Sequence, residues 1–277
     1  MLPWNYGFHW NAGTIVFMGA FYIVLAIIAA TVIGAIERSR RALEAGKLEK
    51  IRWHSDFHDL PAADRVCRHV LTGEFLDRKC PHDFDCRQCE THPKLIALHP
   101  VRQPAEAEDE ICGMWFPLDR FYHRGHTWAH PEADGTMTVG LDELASRLMG
   151  APDSVELPQP GTRLRVNGTA FRMHKGGVDV RLLSPVDGRV VKTGGAERGW
   201  YLKVKPVRGG FDVRHLLRGS EIRCWLMREM ERLQLALAAE GARAPSLADG
   251  GVPVADIGAQ YPEADWDAVC GKMLLEP

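Results

Sequence analysis

Gly168-Thr-Ala-Phe-Arg-Met-His-Lys-Gly-Gly-Val-Asp-Val-Arg-Leu-Leu-Ser-Pro-Val-Asp-Gly188 is the stretch that decides the fold. Its two arms alternate in character, which is the period of a half-buried strand. Gly176-Gly177 lies between the arms and can turn the chain tightly. A β-hairpin is therefore predicted at the centre of a domain running from about Cys112 to Leu233.

The flanking sequence keeps the short β rhythm. Trp128-Ala-His and Thr136-Met-Thr-Val-Gly140 read as strands joined by the turn-rich loop Pro131-Glu-Ala-Asp-Gly135. Leu141 to Met149 places apolar residues at 141, 144, 145, 148 and 149, one helical face closed by Gly150. Asp153-Ser-Val-Glu-Leu157 is a strand stopped by Pro158 and Pro160. Gly188-Arg-Val-Val-Lys192 and Trp200-Tyr-Leu-Lys-Val-Lys205 follow as strands. Ser220 to Leu237 reads as a helix with Ser220 as N-cap; Arg223 at the third position leaves the capping box incomplete. Short strands at close intervals suggest a small sandwich or barrel.

Phe121-Tyr-His-Arg-Gly-His-Thr-Trp128 resembles the opening of the glycine cleavage H protein family, and Asp134-Gly-Thr-Met-Thr-Val-Gly-Leu141 its second strand. Val155-Glu-Leu-Pro-Gln-Pro-Gly161 resembles the segment before its lipoyl hairpin. Ser184-Pro-Val-Asp-Gly-Arg-Val-Val191 resembles the segment after it, and Gly199-Trp-Tyr-Leu-Lys-Val-Lys-Pro206 the final strand. The order is unbroken within residues 112–239. The resemblance implies a barrel-sandwich hybrid, the lipoyl-like fold. Ala264 to Pro277 looks like a tail that some H-like proteins share.

The resemblance also implies a lysine that carries lipoate, in a Glu-Ser-Val-Lys-Ala setting seven residues before the Ser-Pro strand. Counting back from Ser184 reaches Gly177. The nearest lysine, Lys175, is two residues early, and Arg172-Met-His-Lys-Gly-Gly is basic where the family is acidic. A shortened hairpin could bring Lys175 to the tip. The expectation is a lost lipoyl site, with Lys175 the one candidate attachment residue.

Further upstream the composition changes. Ala12 to Ile36 carries no charged residue. As a helix those residues reach about 37 Å, enough to cross a hydrocarbon core of about 30 Å. No Lys or Arg precedes the run, which argues against a cleaved signal peptide. Arg38, Arg40, Arg41, Lys47, Lys50 and Arg52 follow it, so the positive-inside rule puts the N-terminus outside and the rest in the cytoplasm. Trp4, Tyr6, Phe8 and Trp10 read as an interfacial anchor, and Glu37 to Trp53 as a charged helix continuing the span. Gly13, Gly19 and Gly34 offer small surfaces for packing against other membrane helices.

Cys67, Cys80, Cys86 and Cys89 stand at spacings of twelve, five and two intervening residues, among several histidines. In a reducing compartment, four close thiols point to a metal. Zinc in a Cys₄ site, or with one His replacing a Cys, leads; an iron–sulfur cluster also takes four thiolates. Free thiols are the other reading, because the second half of a zinc-ribbon pair is missing. The segment resembles a Cys-rich stretch upstream of H-protein-like domains in some bacterial proteins. Cys112, Cys224 and Cys270 read as isolated small core residues.

The expected class is α+β. An anchor (1–11), a transmembrane helix (12–36) and a juxtamembrane helix (37–60) lead into a Cys-rich module (61–98). A linker (99–111), the H-like domain (112–239) and a tail (240–277) follow. A net charge of −2 and a pI near 6.6 give no reason to propose nucleic acid. The expected role is a non-catalytic accessory subunit. It would sit in the bacterial inner membrane beside the integral subunits of a respiratory or other electron-transfer complex. A membrane-tethered lipoyl carrier using Lys175, or an iron–sulfur electron carrier, are the alternatives.

Overall fold

The computed structural model describes residues 11–44, 65–101, 110–207, 209–239 and 253–275. The expected aromatic anchor, the juxtamembrane segment past Glu44, the acidic part of the linker and the first part of the tail lie outside the described residues. The chain divides into two compact units, Met1–His54 and Ser55–Pro277.

Among its described residues the first unit contains one helix, α1 (Ala12–Glu44). Asn11 starts it: its side-chain oxygen accepts from the Thr14 amide at 2.8 Å and the Thr14 hydroxyl at 2.6 Å. Ala12–Gly34 has a mean hydropathy of 2.6, and none of it is buried. By length and composition this helix can cross a membrane. It runs unbroken past the apolar stretch to Glu44, as the continuing charged sequence predicts.

The second unit opens with α2 (Arg68–Leu71), a 3₁₀ turn at Cys86–Gln88 and α3 (Thr91–Leu98). A two-stranded ribbon, β1 (Glu110–Ile111) and β2 (Met114–Trp115), leads into the larger sheets. Then come β3 (Phe121–Tyr122), β4 (Thr127–Pro131), β5 (Met137–Leu141) and α4 (Glu143–Met149). After them come β6 (Ser154–Glu156), β7 (Arg163–Leu164), β8 (Thr169–Lys175) and β9 (Val178–Leu183). The unit closes with β10 (Gly188–Gly195), β11 (Trp200–Lys205), α5 (Ser220–Ala239), α6 (Ile257–Gln260) and α7 (Trp266–Met273). Six strands form one antiparallel sheet in the order β3-β4-β5-β11-β10-β7, and β6-β8-β9 form a second. Register breaks in β10 and at the base of the β8–β9 hairpin help the sheets curl into a half-barrel of the lipoyl-like kind. The fold is mixed α+β.

The core is built on three rings. Phe116, Tyr122 and Trp225 are fully buried, with centroids 5.3 to 6.4 Å apart. Trp225 comes from α5 and Tyr122 from β3, so this packing fastens the helix to the sheet.

Two expected boundaries move. Leu141 ends β5 and does not open the helix, because Asp142 caps α4 by accepting from the Ala145 amide at 2.8 Å. Ser220 is the first helical residue and not a cap. The Glu221 carboxylate reaches back to the residue two before the helix, accepting from the Arg218 amide at 3.1 Å. The Cys-rich stretch and the described tail belong to the same compact unit as the sheets, with α7 packed on α5 and β9.

A charged network is buried beside the aromatic core. The tight turn between β3 and β4 puts His126 in the left-handed region, at φ +62°. Its ring stacks on Trp225 at 5.0 Å, and its Nδ1 bonds Asp142 at 2.7 Å. Its Nε2 lies 3.6 Å from Glu229, which Arg232 also pairs at 2.7 Å. Burial alone would push the His126 pKa down, but Asp142 and Glu229 lift it to about 9. A folded pKa above the unfolded value of about 6.5 stabilises the protein below that pH. The contribution fades as pH rises through 9. The melting temperature should therefore fall between pH 6.5 and 9.5, and His126→Asn should flatten that fall; differential scanning fluorimetry across the range reads both.

Candidate functional site

The hairpin forms as its sequence predicts. Phe171 and Met173 point inward, and Phe171 stacks on Tyr201 at 4.7 Å. Gly176 and Gly177 turn the chain at φ +57° and +83°, the left-handed pair that a type I′ turn requires. Lys175 is the last residue of β8 and faces Val178 across the turn. The hairpin is thus not shortened: Gly177 occupies the turn, and Lys175 stands beside it.

Nor does the tip project alone. The Gly176 amide donates to Asp153 at 2.8 Å, and β6 pairs along the tip half of β8. Lys175 Nζ donates to both carboxylate oxygens of Asp256, at 2.9 and 2.8 Å. Asp256 also caps α6 through the Ala259 amide at 3.0 Å. The Lys175 hydrogen bond is the main cause of a lowered Asp256 pKa. Space for this clamp comes from Gly150, at φ +54°. A Cβ there would sit 2.3 Å from the Asp256 carboxylate and 2.6 Å from Lys175 Nζ. Gly150→Ala should cost about 1–2 kcal/mol in backbone strain and dislodge the clamp. The check is amine labelling with peptide mapping: Lys175 should react faster in the variant than in the wild type.

The four cysteines line one cavity of about 10 Å³, the room of a single water-sized occupant. Cys67, Cys80 and Cys86 are buried and Cys89 half-buried, all as free thiols. Burial raises the Cys67 pKa and pushes Cys86 up to about 11, although Arg68 opposes the latter. His69 Nε2 and His92 Nδ1 are bonded to each other at 3.0 Å. Among the described residues, no three His, Cys, Asp or Glu side chains stand in an arrangement that holds a metal ion. The sequence-predicted set is therefore gathered into one space without being locked at ligand spacing. Cys112 and Cys224 are not buried, Cys270 is, and none of the three lines the cavity.

Two neighbours of that cavity could not be read from spacing. Arg68, 5% exposed, donates Nε to Glu221 at 2.7 Å, makes a second, very short bond to the same carboxylate, and reaches the Arg214 carbonyl at 2.8 Å. Arg124 stacks on Phe84 at 3.9 Å and bonds the Val66 carbonyl. Removing one partner of a buried pair leaves an unpaired charge and costs about 3–5 kcal/mol. Glu221→Leu should lose that much in urea denaturation of the full chain, and Arg68→Met added to it should recover most of the loss.

Known proteins resemble the β-domain. The glycine cleavage H-protein family matches residues 120–196, downstream of all four clustered cysteines. A glycine cleavage system H protein of Saccharophagus degradans is 30% identical over 98 residues, which is 31% of this chain and 75% of that protein. Glycine cleavage system H protein 2 of Pseudomonas syringae is 31% identical over 113 residues, 36% of this chain and 88% of that protein. A crystal structure of an H protein from Mycobacterium marinum aligns with 41% of this chain and 98% of its own, at 24% identity and a TM-score of 0.34. With most of two such relatives covered at this identity, the chain belongs to the glycine cleavage H-protein family.

Proposed function

We propose that this chain is a non-catalytic, membrane-tethered member of the family that acts as a docking subunit without carrying lipoate. The observation that carries the reading is the clamp on Lys175. The one lysine near the hairpin tip is tied to Asp256, and the family's attachment slot holds Gly177. The acidic neighbour expected three residues before the lysine is Arg172, which lies 3.6 Å from Asp179 of the opposite arm. These features support the reading that the hairpin does not present an attachment lysine.

The anchoring helix supports the rest of the proposal. Ala12–Gly34 exposes apolar side chains throughout, and a Cβ at Gly19 or Gly34 would meet nothing within 4 Å. Such a helix in lipid gains from packing against other membrane helices through its small residues. The proposed setting is the inner membrane, N-terminus outside, beside the integral subunits of a respiratory or other electron-transfer complex.

A second reading, lipoyl carriage on Lys175, draws on the place of that lysine next to the Gly-Gly turn. Lys175 and Asp256 form a part-exposed pair, and such pairs are worth about 0–1 kcal/mol, so a ligase could open it. Intact-mass measurement on natively purified protein should give the unmodified chain. A lipoyl adduct on Lys175 would overturn the docking proposal. Native-size analysis in mild detergent should show the chain in a larger assembly, and migration as a lone monomer would count against that assembly.

A further inference from the structure

The cavity lined by the four cysteines is the strongest unassigned feature of the molecule. Three of its thiols are buried, and they come from three separate places: the start of α2, the loop after it and the 3₁₀ turn. Nothing in ordinary core packing requires four thiols to meet in a space the size of one water. Between Cys80 and Cys86 the backbone is also forced: Asp83 and Phe84 sit at φ +47° and +64°, both non-glycine in the left-handed region. Each such residue costs on the order of 1–2 kcal/mol.

A second observation is independent of the cysteines. Three polar side chains that line the cavity keep a buried atom without a hydrogen-bond partner among the described residues. These are Nδ1 of His69, which lies 3.6 Å from Glu74, Nδ1 of His215 and Nε of Arg124, all on side chains no more than 5% exposed. Arg124 has no carboxylate within 4 Å among the described residues; its guanidinium rests on the Phe84 ring and a backbone carbonyl. Glu229 offsets the buried charge only from beyond ion-pair distance, and a centre of negative charge in the cavity would offset it more closely. Arg68, the other guanidinium lining the space, is already neutralised by Glu221.

The geometry points to a zinc site made by Cys67, Cys80, Cys86 and Cys89. Four thiolates around one zinc ion carry a net charge of −2, which places negative charge beside the Arg124 guanidinium. Binding replaces four S–H bonds with four Zn–S bonds and releases four protons to solvent; no oxidation state changes. The size of the space favours a single ion over an iron–sulfur cluster, whose several irons and sulfides exceed a one-water volume. His69 Nε2 and His92 Nδ1 are taken up by each other, and the four thiols complete a tetrahedral set without a histidine. The thiols are not yet at ligand spacing, so the ion must draw them together. Cys89 is half-buried at the end of the 3₁₀ turn and is the ligand with room to move.

The test uses the full chain, purified in mild detergent under reducing conditions and without chelator. Metal analysis should find about one zinc per chain, released by a mercurial thiol reagent together with four thiols. Cobalt(II) in place of zinc should give the intense near-ultraviolet absorption of thiolate-to-cobalt charge transfer. Cys89→Ser should weaken zinc binding at least about tenfold in competition with a chromophoric chelator, since even changes around a metal's ligands cost 10–100-fold. Cys224→Ser, on the exposed face of α5, should leave affinity unchanged. If Cys86→Ser fails to fold, Cys89→Ser and the cobalt spectrum still decide. Protein that holds no zinc and gives no charge-transfer band with added cobalt would overturn the proposal. So would iron with acid-labile sulfide at the same cysteines.

Discussion

Arg68 and Glu221 make the contact on which the rest of the second unit depends. A guanidinium that is almost wholly out of water must find an anion, and the only economical geometry is a bidentate one in which both ions keep their hydrogen bonds. Because Arg68 belongs to α2 and Glu221 opens α5, satisfying that demand fixes the Cys-rich segment against the β-domain. Glu221 also holds the Arg218 amide, so the same carboxylate sets where α5 begins. From there the helix carries Trp225 to the aromatic core and Glu229 to His126. One ion pair thus orients both the wall of thiols and the helix that closes the sheet.

The local part of this structure was legible in the sequence. Period-two arms around Gly176-Gly177 gave the hairpin, and an uncharged run from Ala12 to Ile36 gave the long apolar helix. Turn residues marked the strands about where they occur. What could not be read was set by distance along the chain. The partner of Lys175 is 81 residues away and that of Arg68 is 153 away, and neither leaves a periodic trace. Ser220 was misplaced as a cap for a related reason. Its neighbour Glu221 is committed to Arg68 and also accepts from the Arg218 amide, a role no cap preference foretells. For the cysteines, spacing identified the four residues that share a cavity. Their mutual arrangement depends on Arg68, Arg124 and His215, which spacing does not contain.

The two candidate sites differ in what the fold does with a reactive group. At the hairpin, a potential nucleophile is exposed by the turn and then covered by the tail. In the thiol cavity, burial keeps Cys67 and Cys86 protonated, so unmetallated they are poor nucleophiles. Both arrangements suppress covalent chemistry.

Gly150 turns the clamp into something that can be read in other chains. The position tolerates no side chain while Asp256 and Lys175 are joined beneath it. A larger residue there meets both the strained backbone and the ends of the Asp256 and Lys175 side chains. Glycine at that one helix end, paired with an aspartate ahead of the short tail helix, becomes a sequence marker. In this chain that pairing seats Lys175 against the tail helix.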